Sequence, residues 1–211
     1  MRKKMIKIIG TNHFMKKEII EGIIKDESPD IIGVELCETR FKIFTNQIKQ
    51  GNGKDETLLG KIADETKKKA EENNLDYGSD MKTAMFYAIN NNLPLLLVDK
   101  DILETRKEMG KIPLEEQVYL QKELIKFKTE ELKTEINEEE IIRRMKKDIP
   151  ITYKVLVEDR NNYIINKIQE SKEKYINKKI LIFLGIGHVK EIENKLKGGN
   201  KKWTKTKQLI I

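Results

Sequence analysis

The sequence predicts an α/β fold: a central, mainly parallel β-sheet with flanking helices and a long helical insertion over about 102–176. Four short apolar runs, Met5–Gly10, Asp30–Leu36, Pro94–Lys100 and Lys179–Gly185, stand out from a helical background. Each is rich in Ile, Leu or Val and nearly continuous in apolarity, as a strand buried on both faces must be. The stretches between them carry helical patterns and are long enough for parallel crossovers.

The first unit is compact. A strand runs into Gly10-Thr11-Asn12-His13, a helix spans about Met15 to Asp26, and Ser28-Pro29-Asp30 stops it and opens the second strand. Between Asp101 and Lys178 the pattern is almost wholly helical. Val118, Leu120, Leu124, Phe127 and Leu132 mark one amphipathic helix, and a second runs from about Ile151 to Tyr175. We read these helices as an insertion packed on the sheet, placed to form a lid, within one domain covering residues 1–211. A weak fifth strand, Lys207–Ile211, follows the turn signal Gly198-Gly199-Asn200. No repeat of solenoid period is present.

Charged residues make up 36% of the chain and hydrophobic residues 38%, which implies a charge-dense surface over an ordinary core. The net charge of +7 invites a nucleic-acid reading, but the lysines are interleaved with glutamates, as in Lys67-Lys68-Lys69-Ala70-Glu71-Glu72. Such runs make solvated helix faces. No basic stretch is interleaved with stacking aromatics, and no helix-turn-helix, zinc-finger or RNP-like pattern occurs, so no nucleic-acid partner is expected. Cys37 is the single cysteine, which excludes an intramolecular disulfide and suits a reducing compartment. The start of the chain lacks the apolar core of a signal peptide. The longest apolar run, Ile180 to Val189, contains two glycines and a histidine and falls short of the roughly 20 residues of a spanning helix. A cytoplasmic protein with no membrane span is expected.

The chain has two histidines only, each the fourth residue of a Gly-x-x-His tetrapeptide directly after an apolar run: Gly10-Thr11-Asn12-His13 and Gly185-Ile186-Gly187-His188. Glycine there permits a tight turn or a close backbone approach. In open α/β sheets ligands bind outside the carboxyl ends of the strands, where both histidines fall. Glu35 sits in the apolar run Ile31-Ile32-Gly33-Val34-Glu35-Leu36, where a carboxylate is costly unless paired or coordinated. The third strand ends in Asp99-Lys100-Asp101, so every predicted parallel strand brings an ionisable residue to one edge. Each element also has a plainer reading. A strand-end histidine can be a structural hydrogen-bonder, Glu35 can pair with Arg40 or a lysine, and Asp101 can cap the helix that follows. Two copies of the tetrapeptide, using every histidine of the chain, favour a site.

Two imidazoles and one or two carboxylates suit a divalent transition ion with open positions; Mn, Co, Zn or Fe all fit. Glu35 is then either a ligand or the acceptor of a water proton, and Arg40 or Arg160 can steady an oxyanion or bind a peptide carboxylate. A His-Glu-x-x-His helix, a Gly-x-Ser-x-Gly elbow and a Walker loop are all missing, which argues against a standard zincin, a serine hydrolase and a P-loop enzyme.

The ordered set Gly10-Thr11-Asn12-His13, Val34-Glu35-Leu36 with Arg40, Gly78-Ser79-Asp80-Met81, Asp99-Lys100-Asp101-Ile102, Asp159-Arg160-Asn161 and Gly185-Ile186-Gly187-His188-Val189 resembles the TraB/PrgY family. That family includes bacterial pheromone-shutdown proteins; it is related to the Tiki metalloproteases and more remotely to erythromycin esterases and the haem-binding ChaN. The likeness runs from Lys7 to about Leu196. It implies an α/β fold and a metal-dependent hydrolase site, with His13, His188 and Glu35 matching the Tiki histidines and glutamate. Arg160-Asn161 matches an Arg-Asn pair on a late helix, where Arg160, four residues after Leu156 and three before Tyr163, lies on a partly buried stripe and wants a carboxylate. The chain departs from the pattern at Cys37, often Asp, at Asp80, often Glu, and at Lys100, usually Arg; Cys37 and Asp80 are therefore left out of the expected site. The spanning tail of many pheromone-shutdown proteins is also missing, so their membrane role is not carried over.

The leading expectation is a metal-dependent hydrolase acting on a peptide or a small polar amide or ester. The competing one is a non-catalytic protein that holds a metal, haem or small ligand at the same edge. A third is an interaction protein with structural histidines. The first two require His13, Glu35 and His188 to converge to within one ion's reach or one bridging water. Oligomeric state is not readable.

Overall fold

The computed structural model describes residues 5–48, 57–129, 138–199 and 207–208. The apolar runs become strands β1 (Met5–Thr11), β2 (Ile31–Val34), β3 (Leu95–Leu97) and β4 (Lys179–Gly185), joined by a two-residue β5 (Lys207–Gln208). Every pairing is parallel and the order is β3-β2-β4-β1-β5, so the expected α/β class holds. The late strand β4 inserts between the first two. Its register sets Gly185 beside Thr11 and Phe183 beside Val34, which lines up the carboxyl ends of three strands.

The helices are α1 (Lys17–Glu27), α2 (Glu38–Phe44), α3 (Leu58–Glu72), α4 (Ser79–Asn90) and α5 (Ile102–Met109) in the first half. The second half adds α6 (Leu114–Thr129), α7 (Glu138–Asp148), α8 (Pro150–Tyr153), α9 (Asp159–Lys174) and α10 (Ile186–Gly199). Strand side chains alternate between two helical layers, which explains why the strands read as continuous apolar runs. On one face Ile8, Ile180, Ile182 and Leu184 pack with Ile164 and Ile168 of α9 and Val189 and Ile192 of α10. On the other, Ile9, Val34, Leu181 and Phe183 pack with Ile20 and Ile24 of α1 and Met81 and Met85 of α4. The later part of the expected insertion is thus not a lid: Ile164 and Ile168 are wholly buried against the sheet.

Two boundaries differ from the sequence reading. The second strand ends at Val34 because the Leu36 amide donates to the Val34 carbonyl at 2.7 Å, a three-residue turn centred on Glu35. The Glu35 amide still donates to the Phe183 carbonyl at 3.1 Å, so Glu35 is anchored to β4 while its chain direction changes. Cys37, two residues after Glu35, is the buried residue that opens α2. The expected helix over Ile151–Tyr175 is α8 and α9 joined through a π-helical turn, Lys154–Glu158. Residues 209–211 of the weak strand and Leu132 of the first insertion helix lie outside the described residues.

The π turn has a geometric consequence. In a regular α-helix, residues eight apart point roughly 80° from each other. A π turn absorbs one extra residue, so Tyr153 and Asn161 return to within roughly 20° of one face. Among the described residues, no helix is long and apolar enough to cross a membrane.

Candidate functional site

Glu35 stands at the centre of the carboxyl edge, 4% exposed. Its Oε2 accepts the Gly185 amide at 2.6 Å, and its Oε1 accepts from Nη2 of Arg160. Burial opposes its charge, but His188, Arg160, His13 and the Gly185 N–H outweigh that and hold the carboxyl well below the usual range. Glu35 is an anchored anion.

His13 follows β1 in a left-handed conformation, φ 66°, uncommon for a residue with a side chain. One local and one distant bond hold it there. The Phe14 amide donates to Asn12 Oδ1 at 3.1 Å, an Asx turn, and the Gly78 amide donates to the His13 carbonyl at 2.8 Å. The ring sets Nδ1 3.3 Å from Oδ2 of Asp80, a wholly buried residue in the first turn of α4 that also accepts from the Thr11 hydroxyl. Asp80 Oδ1 is buried with no hydrogen-bond partner among the described residues. Burial disfavours the His13 imidazolium, yet Asp80 and Glu35 together raise its pKa above 6.5. Tyr77 meets the ring edge-on at 5.9 Å, and burial pushes its phenol up.

His188 lies in the first turn of α10, which begins directly after β4. Its Nδ1 is 2.6 Å from Oδ1 of the wholly buried Asn161, and its Nε2 is 3.5 Å from Glu35 Oε1. An amide oxygen only accepts, so His188 carries its hydrogen on Nδ1 and turns the Nε2 lone pair toward Glu35. Burial lowers its pKa below 6.5; the opposing pull of Glu35 does not reverse this, and Arg160 adds to it.

Arg160 completes the edge with a forked contact to Asp99, Nε to Oδ1 and Nη2 to Oδ2, each 2.9 Å. The same Nη2 reaches Glu35, and Nη1 donates to the Leu156 carbonyl at 3.2 Å inside the π turn. Burial opposes the guanidinium charge, but Asp99 and Glu35 raise its pKa further. Arg40 on α2 contacts Oδ2 of the same Asp99 through its own Nη2. Of the three buried carboxylates, Glu35 and Asp99 pair with the two guanidiniums, while Asp80 has the Thr11 hydroxyl and the His13 ring beside it. Asp80 is thus balanced by no guanidinium, and a buried charge calls for a cation, which a protonated His13 can supply.

The glycines act by allowing close approach, not by making turns. A Cβ on Gly185 would fall 2.7 Å from His13 Nε2 and 3.1 Å from Glu35 Oε2, so glycine there is what lets the imidazole and carboxylate meet. A Cβ on Gly10, inside β1, would fall 3.2 Å from Val189 Cγ2 and tighten the seat of α10. The two Gly-x-x-His copies thus share a sequence and not a conformation.

His13, Glu35, Arg40, Asp99, Arg160, Asn161, Gly185 and His188 all meet at this edge. Asp101 does not join them: its Oδ1 caps α5 by accepting the Leu103 amide at 2.8 Å, and its Oδ2 accepts from Thr39 at 2.7 Å. The plainer reading of Asp101 was the right one. Glu35 pairs with Arg160 and not with Arg40. Asp80, set aside because it departs from the family pattern, is a partner of His13; its signal was Gly78-Ser79-Asp80-Met81 itself. Among the described residues, no three His, Cys, Asp or Glu side chains close around one point as an ion's ligands.

A parallel sheet with an ion-rich edge formed by β1, β2 and β4 defines an α/β protein whose candidate site lies at the strand carboxyl ends. The chain belongs to the TraB/PrgY/gumN family, whose family model matches residues 2–198. A curated relative, the uncharacterized protein MJ1365 of Methanocaldococcus jannaschii, is 31% identical over 220 residues, covering 92% of this chain and 55% of the relative. The chain therefore spans about half the length of that protein.

Proposed function

We propose that the chain is a metal-dependent hydrolase that cleaves a peptide or a related amide or ester bond. The observation that carries this reading is the matched setting of the two imidazoles. Each turns Nδ1 to a buried acceptor, Asp80 for His13 and Asn161 for His188; His188 Nε2 lies 3.5 Å from Glu35 Oε1, and His13 Nε2 and Glu35 Oε2 both border the space that a Cβ on Gly185 would fill. Metal-bound histidines are supported in this way, with the far nitrogen held by a carboxylate or carbonyl-type oxygen. Asp80 stands behind His13, on its Nδ1 side, as such a supporting carboxylate. His13 Nε2, His188 Nε2 and Glu35, which do not close around one point as they stand, would have to draw together to hold an ion. A divalent transition ion there (Mn, Co, Zn or Fe) supplies Lewis acidity, acidifying water and polarising a carbonyl.

The chain's own residues supply the rest. Arg160 holds Glu35 and Asp99 in place. Arg40, with 30% of its side chain exposed, faces the open side and can neutralise an oxyanion or a substrate carboxylate. The test is metal analysis of the purified protein beside His13→Ala and His188→Ala, with cleavage of a peptide library by wild type and Glu35→Ala. Bound metal that drops in both histidine variants, and cleavage that vanishes with chelator and in Glu35→Ala, are expected. Cleavage indifferent to both would overturn the reading.

A specific observation favours a second reading, a non-catalytic metal-, haem- or small-ligand-binding protein. Both Glu35 oxygens already accept strong donors, which suits a fixed ligand better than a mobile base. Ligand binding with no turnover on any library would select it.

A further inference from the structure

One carboxylate near the site has no part in the reading above. Glu191 lies on α10 three residues after His188, on the same helix face. Its Oε2 accepts from the Tyr153 hydroxyl at 2.7 Å and from Asn161 Nδ2 at 3.2 Å, while its Oε1 is 3.2 Å from Lys195 Nζ. Tyr153 and Asn161 reach this one atom together because the π turn brings both to one face.

The amide of Asn161 has two ends of similar shape and opposite hydrogen-bonding character. Only the nitrogen end can donate to the Glu191 carboxylate. The oxygen end is then left facing His188 Nδ1, at 2.6 Å. Asn161 is wholly buried, so no solvent takes over either end. If the amide turned over, two acceptors would face each other at Glu191, and Nδ1 of His188 would have to give up its hydrogen.

We infer that Glu191 is a positioning residue that fixes the tautomer of His188 through Asn161, holding the hydrogen on Nδ1 and the lone pair on Nε2. The inference deepens the proposed metal site, since Nε2 is the ligating atom there, but its geometry stands without metal or substrate. Tyr153 fills a further lone pair of the same carboxylate and narrows its orientation.

The test is long-range 1H–15N NMR of the metal-free protein at mildly alkaline pH, where neutral imidazole tautomers are distinguished by their nitrogen shifts. Wild type is expected to show His188 protonated on Nδ1. Glu191→Ala removes the acceptor and is expected to admit the Nε2–H tautomer, while Glu191→Gln, which keeps an oxygen, restores the wild-type pattern. Should Glu191→Ala not fold, Glu191→Met, nearer in volume and equally without an acceptor, is read in the same way. Zn2+ affinity, measured by chelator competition, is expected to fall roughly 10–100-fold in the acceptor-free variant. An Nε2–H tautomer in wild type, or an unchanged tautomer without the acceptor, overturns the inference. A tautomer that responds as expected in a protein that binds no Zn2+ sinks the metal-site reading and upholds this one.

Discussion

Nε2 of His188 lies 3.5 Å from Oε1 of Glu35, and the hydrogen bond from Nδ1 to Asn161 turns a lone pair into that gap. A neutral imidazole lone pair and a carboxylate oxygen repel unless something positive lies between or beside them. Arg160 serves in part, from the far side of Glu35. A proton or a metal ion would serve more directly, and each leaves a different signature in the variants below.

Gly185→Ala is expected to damage the site more than its small volume suggests. The new Cβ would press on the His13 ring and on the Glu35 carboxylate, neither of which can withdraw without breaking its own bonds. Overpacking of this kind costs about 1–3 kcal/mol. Urea unfolding measures it, and His13→Ala should relieve part of the loss, giving a double variant that is less than additive. Full additivity would mean that the two residues do not meet.

Arg160→Met should destabilise the fold by about 3–5 kcal/mol, because Glu35 and Asp99 would be left buried without their shared cation. Arg160→Lys should recover only part of this, since an ammonium cannot reproduce the forked contact to Asp99. Chemical denaturation of the three proteins under one buffer decides the order; equal stability of the Lys variant and wild type would refute the forked contact.

The two histidines should bias stability in opposite directions as pH changes. In the metal-free protein the folded pKa of His13 is raised above 6.5, so its contribution is complete below that pH and is lost as pH rises through the folded value. That of His188 is depressed below 6.5, so its contribution is present above that pH and is lost as pH falls through the folded value. Stability measured across this range should show the gap between wild type and His13→Ala narrowing with rising pH. The gap to His188→Ala should narrow with falling pH. Slopes of the same sign would contradict the assignment.

Asp80→Asn tests the residue that departs from the family pattern. Removing its charge takes away the chief support for the His13 imidazolium, so the His13 pKa should drop while His188 changes little. NMR titration of the two rings reads both at once. A His13 value that does not move would show that Asp80 acts only through packing.

Much of this was legible in the chain. The apolar runs marked β1 to β4 because a strand covered on both faces needs no polar alternation, and the two Gly-x-x-His tetrapeptides with Glu35 marked the edge. Arg160 was legible on a partly buried stripe, and Asn161 only through its match to the family's Arg-Asn pair. Asp101 was ambiguous, since an aspartate ahead of a helix reads equally as a cap, which it is.

What the linear pattern determined was the fold class, the strand positions and the residue types gathered at one end of the sheet, all of which follow from local periodicity and chemistry. What tertiary structure alone decided was who faces whom: Asp80 behind His13, Asn161 and Glu191 behind His188, Arg160 and not Arg40 on Glu35. These choices depend on β4 sliding between β1 and β2, on a turn at Glu35 and on one extra residue in a π turn. Such features are selected by packing and hydrogen bonding between segments from 27 to 125 residues apart, and no local signal encodes them.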